Sequence, residues 1–372
     1  MVIEKFSEEA MRSKIIAIFI VLGVICASLA SLTGCAGKKE EADVHVFYYT
    51  YSDTYISTVR AALDKALDGA MIKYQDHDGN NNQTTQTEQI QTAITKGAKL
   101  LVVNIVTTGS DDAANGIVSM AREANIPLIF FNREVSDGVV KSYEKCAFIG
   151  TDASEAGKLQ GDMIGDYVVK NFDAIDLNGD GEISYVLFMG EKGNNEAIYR
   201  TKYSVENADK KLSAAGKKPL RFYDSTNTDK YLLDRDGKWS AQAANEYMTT
   251  ILSSHSTANK NMVELVICNN DGMAEGAISA LSAAGYNTGV EGSTTIPVFG
   301  VDATSAAQEL IKSGKMAGTI KQDAEGMAAG ILKCVKNGLD EKTLLEGMSD
   351  YNIDNDVAKV RIAYAVYTKE NG

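Results

Sequence analysis

The feature that most constrains this chain is a regular alternation of short apolar runs with longer amphipathic segments. The run Val46–Tyr49 predicts a strand, and the apolar residues after it recur at spacings of three and four, as on one face of a helix. These residues are Ile56, Val59, Leu63 and Leu67. Strands that alternate with helices of roughly 10–15 residues indicate right-handed βαβ units and parallel sheets.

The alternation occurs twice along the chain. The first set of predicted strands ends with Cys146–Gly150, and the second set contains Tyr185–Met189, Leu265–Asn269 and Ile296–Val301. The polar stretch Asp76–Thr85 is predicted to be a loop. A length of 372 residues also exceeds one ordinary domain of about 150 residues. The sequence therefore predicts an α/β protein with two lobes, each built on a doubly wound parallel sheet.

Charge and cysteine content exclude several classes of protein. The formal net charge of -13 argues against binding to nucleic acid or to anionic membrane surfaces, whereas it suits metal cations and neutral polyols. Cys146, Cys268 and Cys334 are an odd number in apolar surroundings, which favours buried thiols over a disulfide framework. The three histidines lie far apart and lack metal-ligand spacing.

The N-terminus has the order of a secretory signal. Arg12 and Lys14 precede an apolar run over residues 15–32, which ends in small residues before Cys35. Leu-Thr-Gly-Cys resembles the bacterial lipoprotein box, which implies removal of residues 1–34, lipidation of Cys35 and a linker over residues 35–43. We therefore expect an extracytoplasmic protein that is lipid-anchored to the cell membrane. The alternative is a transmembrane helix with an incidental cysteine, because roughly 18 apolar residues are borderline for spanning.

The stretch 176–184 matches the first nine positions of an EF-hand calcium loop. The predicted oxygen ligands are Asp176, Asn178, Asp180, Glu182 through its backbone carbonyl, and Ser184. Gly181 occupies the position of the sharp turn, but Leu187 stands where an EF-hand has its bidentate glutamate. A structural Ca²⁺ would therefore need a carboxylate from elsewhere in the chain. The alternative is a solvated turn rich in Asp, Asn and Gly.

Polar side chains follow several predicted strands at the point where each strand ends. Asp53 and Asn132 do so in the first half of the chain, and Asn270 and Asp302 do so in the second half. Ligands of open parallel sheets bind beyond the carboxyl ends of the strands, so these positions predict a polyhydroxylated ligand between the lobes. In plainer interpretations, Asp302 is a helix N-cap and Asn132 is a turn residue.

Over residues 44–365 the chain resembles the bacterial periplasmic galactose/glucose-binding protein family, which has the type I periplasmic binding protein fold. The matching segments are Tyr49-Thr-Tyr-Ser-Asp53-Thr-Tyr55, Phe130-Phe-Asn132-Arg-Glu, Gly150-Thr-Asp152, the 176–184 loop, Gly190-Glu-Lys-Gly193, Arg200-Thr, Cys268-Asn-Asn270-Asp-Gly-Met and Val298-Phe-Gly-Val-Asp302-Ala. The resemblance implies a sugar-binding protein of an ABC importer that holds D-galactose or D-glucose in the cleft. It also implies that Glu264 completes the calcium loop.

The resemblance assigns the sugar-binding positions residue by residue. They are Asp53, Tyr55, Asn132, Asn194, Glu196, Arg200, Trp239, Asn270, Asp302 and Gln322. Tyr55 and Trp239 would stack on the two faces of the sugar ring. The chain departs from the family pattern at Asn194, Glu196 and Gln322, where the family has His, Asp and Asn. Two residues also have plainer interpretations, since the only tryptophan could lie in the core and Arg200 could form a surface salt bridge.

The resemblance further implies a hinge of three segments. The N-terminal lobe would comprise residues 44–151 and 322–358, and the C-terminal lobe residues 152–321 and 359–372. Membrane subunits of an importer, and a chemoreceptor or sensor, are the expected partners of a monomer. Binding of another monosaccharide, or a sensing role without transport, stays an alternative. The sequence lacks the hydrolase, metalloprotease, nucleotide-binding and dinucleotide-binding motifs, so no enzyme activity is expected.

Overall fold

A computed structural model describes residues 42–354 and 356–372. The predicted signal peptide, Cys35 and most of the predicted linker lie outside the described residues. Within the part that the structure describes, no helix is both long enough and apolar enough to cross a membrane.

The described chain folds into strands and helices in close alternation. The first part contains β1 (Val44–Tyr48), α1 (Thr54–Gly69), β2 (Tyr74–Asp78), α2 (Gln83–Thr95), β3 (Leu100–Val103), α3 (Asp112–Glu123), β4 (Leu128–Phe131), α4 (Asp137–Lys141) and β5 (Cys146–Gly150). The second part contains α5 (Ala153–Ile175), β6 (Ser184–Met189), α6 (Asn195–Ala214), β7 (Arg221–Phe222), β8 (Leu232–Leu233), α7 (Ala241–Leu252), β9 (Leu265–Cys268), α8 (Asp271–Ala283), β10 (Val298–Asp302), α9 (Ser305–Lys312) and β11 (Gly318–Gln322). The last part contains α10 (Ala324–Leu339), β12 (Asn352–Asp354), β13 (Lys359–Arg361) and β14 (Tyr364–Tyr367).

Two sheets organise these elements into two lobes. The N-terminal lobe has a 7-stranded sheet in the order β12-β13-β5-β4-β3-β1-β2. The C-terminal lobe has a 7-stranded sheet in the order β14-β11-β10-β9-β6-β7, with β8 also paired to β6. Antiparallel pairing is confined to β12 with β13 and β14 with β11. The predicted α/β fold with two parallel-sheet lobes is therefore confirmed.

Both faces of each sheet are covered by helices, and the central strands are buried throughout for this reason. In β1, Val46 and Tyr48 point into the core beneath α1 and α10, and Phe47 points into the core beneath α2 and α3. The central strands consequently read as continuous apolar runs, which is why the sequence pattern located them.

The prediction that Asp76–Thr85 forms a loop is wrong. Tyr74–Asp78 forms β2, which pairs in parallel with β1, and α2 begins at Gln83. The strand lies at the edge of the sheet, and its half-exposed position tolerates polar residues that conceal it in the sequence.

The chain passes between the lobes at three places, and two of the predicted boundaries shift. Gln322 ends β11 in the C-terminal sheet, so the assignment of residue 322 to the N-terminal lobe is wrong by one residue. Lys359–Arg361 forms β13 beside β5 in the N-terminal sheet, so residues 359–361 do not belong to the C-terminal lobe. Lys359 is 1% exposed and its Nζ donates to the Glu134 carboxylate at 2.8 Å, which holds this strand in the N-terminal lobe.

An acidic pair lies between α1 and β2. The Oδ1 atoms of Asp64 and Asp76 are buried and have no hydrogen-bond partner among the described residues. Burial, and then the neighbouring Asp64 carboxylate, raise the pKa of Asp76 to about 7. On the opposite face of β2, burial lowers the pKa of His77 to about 4. Burial therefore shifts the pKa values of these two groups at the edge of the lobe in opposite directions.

We expect Asp76→Asn to stabilise the protein more at pH 8 than at pH 5. A carboxyl group whose pKa rises on folding stabilises the fold below its unfolded pKa of about 4, and this contribution is lost as the pH rises through the folded value. The amide resembles the protonated acid at every pH. The difference in Tm between variant and wild type should therefore be larger at pH 8 by about 2 °C or more. An equal difference at both pH values would contradict this prediction, and the exposed Asp173→Asn is the control.

Candidate ligand-binding site between the lobes

A cavity of about 370 Å³ lies between the lobes, beyond the carboxyl ends of the sheet strands. It is lined by Tyr49, Asp53, Tyr55, Ile56, Asn132, Arg133, Asn194, Glu196, Arg200, Trp239, Asn270, Asp302 and Gln322. Every predicted sugar-binding residue is in this lining. The sequence analysis did not assign Tyr49, Ile56 and Arg133. Tyr49 belongs to the matching segment that contains Asp53, and Arg133 belongs to the one that contains Asn132. These segments were the sequence signal that could have identified both residues.

Helix caps orient three of the cavity side chains, and one of them is Asn194, which caps α6 by accepting from the Ala197 amide at 3.0 Å. Asp53 caps α1, with Oδ1 accepting from the Ile56 amide at 2.7 Å and Oδ2 accepting from the Tyr49 hydroxyl at 2.7 Å. Asn270 caps α8 by accepting from the Met273 amide at 2.9 Å. A side chain at the N-terminus of a helix that follows a strand is placed at the carboxyl edge of the sheet, so the cap also directs it into the cleft.

Asp302 is not a helix cap, in contrast to the plainer interpretation of the sequence. The cap of α9 is Thr304, whose Oγ1 accepts from the Ala307 amide at 3.2 Å. Asp302 has φ of 127° and Ala303 has φ of 57°, and the Thr304 amide donates to Asp271 Oδ2 at 2.8 Å. Such backbone conformations are uncommon for residues other than glycine and cost of order 1–3 kcal/mol each. The turn therefore holds the Asp302 carboxyl in the cavity at a conformational cost.

Arg200 lies inside the site and is not part of a surface salt bridge. Only 4% of the surface of Arg200 is exposed. Nη1 donates to the Asn269 carbonyl at 2.9 Å, and Nη2 donates to Gln322 Oε1 at 3.0 Å and to the Tyr364 hydroxyl at 3.1 Å. These bonds fix the guanidinium plane between α6 and the strands β11 and β14.

Several buried polar atoms of the cavity have no hydrogen-bond partner among the described residues. They are Tyr55 Oη, Arg133 Nε, Glu196 Oε2, Arg200 Nε and Gln322 Nε2. Buried polar atoms are nearly always hydrogen-bonded, because an unpaired one costs about 1–3 kcal/mol. Their convergence on one cavity indicates that a polar ligand supplies the missing partners.

Burial affects the pKa values of two carboxyl groups of the cavity. Burial raises the pKa of Asp302 well above its usual value, and the Arg200 guanidinium opposes that rise. Burial likewise raises the pKa of Glu196. Carboxyl, amide and guanidinium groups together offer both donors and acceptors, and hydrogen bonds to the charged ones are the stronger kind. This donor and acceptor set matches hydroxyl groups, which both donate and accept.

Aromatic rings from both lobes border the cavity. Tyr55 is 5% exposed and lies on α1, whereas Trp239 is 7% exposed and precedes α7. Trp239 lies directly over Gly190, where an added Cβ would be 2.1 Å from its ring. Its Nε1 donates to Glu191 Oε2 at 3.3 Å. Trp239 belongs to the core of its lobe and also lines the cavity, so its core position does not prevent contact with a ligand.

Hydrogen bonds across the cleft join the lobes. Arg133 Nη2 of the N-terminal lobe donates to the Glu191 carboxylate of the C-terminal lobe, with distances of 2.6 and 2.8 Å to its oxygens. The Asn194 amide donates to the Thr108 hydroxyl at 3.2 Å. The Arg133 guanidinium also lies 4.3 Å from the centroid of the Tyr49 ring. The lobes are therefore in a closed arrangement around the cavity.

The predicted calcium loop is a turn held by its own carboxylate. Asp176 accepts hydrogen bonds from the amides of Gly179, Asp180 and Gly181. Arg221 donates to Asp180 and Glu182 at the surface of the loop. Within residues 42–354 and 356–372, no group of three or more His, Cys, Asp and Glu side chains is arranged to hold a metal ion.

One atom of the loop and a carboxylate beside the loop nevertheless favour a cation. Glu264 is fully buried, and its carboxylate accepts from the amides of Asn178 and Ser184 at 2.8 Å each. Asn178 Oδ1 is buried and has no partner among the described residues. An unpaired amide oxygen beside a buried carboxylate is a donor set that suits a hard cation such as Ca²⁺.

Comparison with known proteins decides the family. Residues 44–343 match the periplasmic binding protein domain. The chain belongs to this family. It is 34% identical to the D-galactose/methyl-galactoside binding periplasmic protein of Haemophilus influenzae, over 94% of this chain and 97% of that protein. It is 25% identical to the ribose import binding protein of Escherichia coli, over 80% of this chain and 85% of that protein.

Solved structures agree with this assignment. An ABC transporter solute binding protein of Bacillus halodurans, solved with bound myo-inositol, is similar with a TM-score of 0.65 and 26% identity. The similarity covers 90% of this chain and 97% of that chain. This member of the periplasmic binding protein family has the type I fold and is a binding protein, not an enzyme.

Proposed function

We propose that this periplasmic binding protein is the extracytoplasmic substrate-binding component of an ABC importer, with D-galactose or D-glucose as its ligand. The observation that carries the proposal is the convergence of unpartnered buried polar atoms on a cavity bordered by aromatic rings. A pyranose has hydroxyl groups for those atoms and apolar ring faces for the aromatic rings. The similarity to a galactose-binding relative supports the choice of a hexose.

The mechanism of capture follows from the position of the cavity. Its lining comes from both lobes, so a ligand gains its full set of contacts only when the lobes are closed. Ligand binding thus shifts the hinge equilibrium toward the closed form. The membrane subunits of the importer would recognise that form, and a chemoreceptor or sensor is a second possible partner. Lipidation of Cys35 would keep the protein at the outer face of the membrane.

Titration calorimetry with D-galactose, D-glucose, D-ribose, D-xylose and myo-inositol tests the ligand class. We expect a pyranose hexose to bind most tightly, because every predicted hexose contact lines the cavity. Saturable binding of ribose with silent hexoses would overturn the hexose assignment. Saturation by myo-inositol alone would assign the site to a cyclitol instead.

We further propose that the 176–184 loop and Glu264 bind a structural Ca²⁺. The ion would take oxygen from Asp176, Asn178, Asp180, the Glu182 carbonyl, Ser184 and Glu264. Bound Ca²⁺ would neutralise the buried carboxylate and give the unpaired Asn178 oxygen a partner.

Calcium is expected to raise the Tm of the wild-type protein by several degrees relative to a chelator. A ligand at 100 times its Kd stabilises a fold by about 2.7 kcal/mol. In Glu264→Gln, which keeps the volume and removes the charge, Tm should not respond to calcium. The exposed Glu309→Gln is the matched control and should respond like the wild type. Identical melting of the wild type in calcium and in chelator would refute the calcium site.

A further inference from the structure

Asp271 carries a fully buried carboxyl group that does not line the cavity. It is the first residue of α8, directly after the cavity residue Asn270, and 0% of its surface is exposed. Burial raises the pKa of Asp271 to about 7, and hydrogen bonds from Thr319 and from the Thr304 amide oppose that rise. A buried carboxyl group is costly unless hydrogen bonds replace its lost hydration, so the bonds it makes indicate its role.

The Asp271 carboxyl group bonds to two segments outside its own helix. Oδ1 accepts from the Thr319 hydroxyl of β11 at 2.6 Å, and Oδ2 accepts from the Thr304 amide at 2.8 Å. An acid in the first turn of a helix can stabilise that helix by its charge alone, which would not require either bond. The two bonds instead tie α8 to β11 and to the turn between β10 and α9.

The turn that Asp271 holds contains the cavity residue Asp302. Asp302 and Ala303 have φ of 127° and 57°, which residues other than glycine adopt only where the surrounding contacts enforce them. Gln308 Nε2 also donates to the Ala303 carbonyl at 2.8 Å, but Gln308 belongs to α9, the helix that this turn begins. Asp271 lies on a different helix, so its bond to Thr304 fixes the turn relative to the rest of the lobe.

Gly300 of β10 leaves room for this arrangement. A Cβ at this position would collide with Asp271 Oδ1. Glycine in the interior of a strand is typical of a site where another group approaches the backbone closely. Here it lets the carboxyl group lie against β10 and reach the turn that follows the strand.

We propose that Asp271 is a positioning residue that fixes the Asp302 carboxyl group relative to Asn270 and so sets the affinity of the cavity, without touching the ligand. The inference rests on the proposed sugar-binding function and adds to it a residue outside the cavity lining. Binding groups hold their productive geometry only when neighbouring hydrogen bonds support them. Because Asn270 and Asp271 are adjacent, the first turn of α8 places one cavity residue and supports the turn that places another.

Calorimetry of Asp271→Ala and Asp271→Asn with D-galactose and D-glucose tests this role. Asp271→Ala removes both hydrogen bonds and should weaken binding about 10- to 100-fold, because the 302–304 turn can relax. Asp271→Asn should restore affinity to within about threefold of the wild type, since its oxygen can accept from the Thr304 amide and its nitrogen can donate to the Thr319 hydroxyl. Both variants are neutral at this position, so the rescue separates hydrogen bonding from charge.

Asn287→Ala is the matched control for a loss of stability. Asn287 is also 0% exposed and donates to the Ile296 and Lys315 carbonyls at 2.7 and 2.9 Å, but it lies outside the cavity lining. Asn287→Ala should lower Tm as Asp271→Ala does and should keep wild-type affinity. An equal loss of affinity in Asn287→Ala would overturn the proposal, because destabilisation alone would then explain both results.

The role also requires that Asp271 act through Asp302. In an Asp302→Asn background, Asp271→Ala should weaken binding by less than about threefold further, and additive losses would refute the link. Wild-type affinity in a folded Asp271→Ala would overturn the positioning role, and so would an Asp271→Asn protein that binds as weakly as Asp271→Ala. A wild-type protein that binds neither sugar would instead refute the proposed function, so the two failures are distinguishable.

Gly300→Ala covers the case in which Asp271→Ala does not fold, as judged by its Tm. Its added Cβ would displace the carboxyl group from the Thr304 amide although Asp271 itself is unchanged. Affinity should fall by about tenfold or more. Wild-type affinity in a folded Gly300→Ala protein would refute the positioning role as well.

Discussion

Replacement of Arg200 by alanine is expected to abolish detectable sugar binding, with an affinity loss of at least about 100-fold. The Arg200 residue is 4% exposed, and its guanidinium bonds to Asn269 after β9, to Gln322 on β11 and to Tyr364 on β14. Removing one partner of a buried charged network leaves the others unsatisfied and typically costs about 3–5 kcal/mol. Here Asp302 and Glu196 would lose the guanidinium that opposes the effect of their burial. Tm should fall as well.

Calorimetry and thermal melting of Arg200→Ala measure both effects. Arg122→Ala is a suitable control, because Arg122 is exposed and donates to Ser142 on the outer surface of the N-terminal lobe. It should bind sugar like the wild type. An Arg200→Ala protein that binds within about tenfold of wild type would show that ligand does not occupy this cavity.

Gly190→Ala should weaken sugar binding about as much as Arg200→Ala, because it displaces the ring of Trp239. Gly190 follows β6, and its amide donates to Asn269 at 3.2 Å, so the backbone is anchored. A Cβ at this position would lie 2.1 Å from the ring atoms Cδ2 and Cε3 of Trp239. The rigid ring must move, and overpacking of this kind costs about 1–3 kcal/mol. We expect about a 100-fold loss of affinity, as for removal of an aromatic anchor.

Fluorescence provides a direct measurement, because the chain contains a single tryptophan. Sugar should change the emission of Trp239 in the wild type and much less in Gly190→Ala. Gly116→Ala is the matched control, since its added Cβ would have nothing within 4 Å and lies in the exposed face of α3. It should keep wild-type affinity and gain roughly 0.5–1 kcal/mol in stability. Wild-type affinity in Gly190→Ala would contradict the proposed position of the ring.

The elements that could be predicted from sequence are those with a local physical signature. The strand Leu265–Cys268 is buried on both faces and reads as an apolar run, so its place was evident. The edge strand Tyr74–Asp78 is half exposed and polar, and it was taken for a loop. The return of Lys359–Arg361 to the N-terminal sheet was missed because it depends on pairing with β5, which is distant in the chain.

Candidate site residues divide in the same way. Asp53, Asn132 and Asn270 follow strands and Asp302 ends one, and the position of ligand sites in parallel sheets placed them in the cleft. Arg133 also follows a strand, but its importance comes from Glu191 on the other lobe, which sequence spacing does not reveal. The choice of Tyr55, Arg200 and Trp239 needed the family resemblance, because helix and loop positions carry no comparable rule.

The sequence by itself determined the two lobes, the segments that form their cores and the edge of each sheet where a ligand can bind. Hydrophobic periodicity and the order of strands and helices carry that information locally. Only the tertiary structure decided which polar atoms are saturated and which stay open to a ligand. Arg200, Gln322 and Tyr364 are far apart in the chain, and their mutual hydrogen bonds leave Tyr55 Oη and Gln322 Nε2 unpaired. Hydrogen-bond satisfaction is a property of packed neighbours, so no local pattern encodes it.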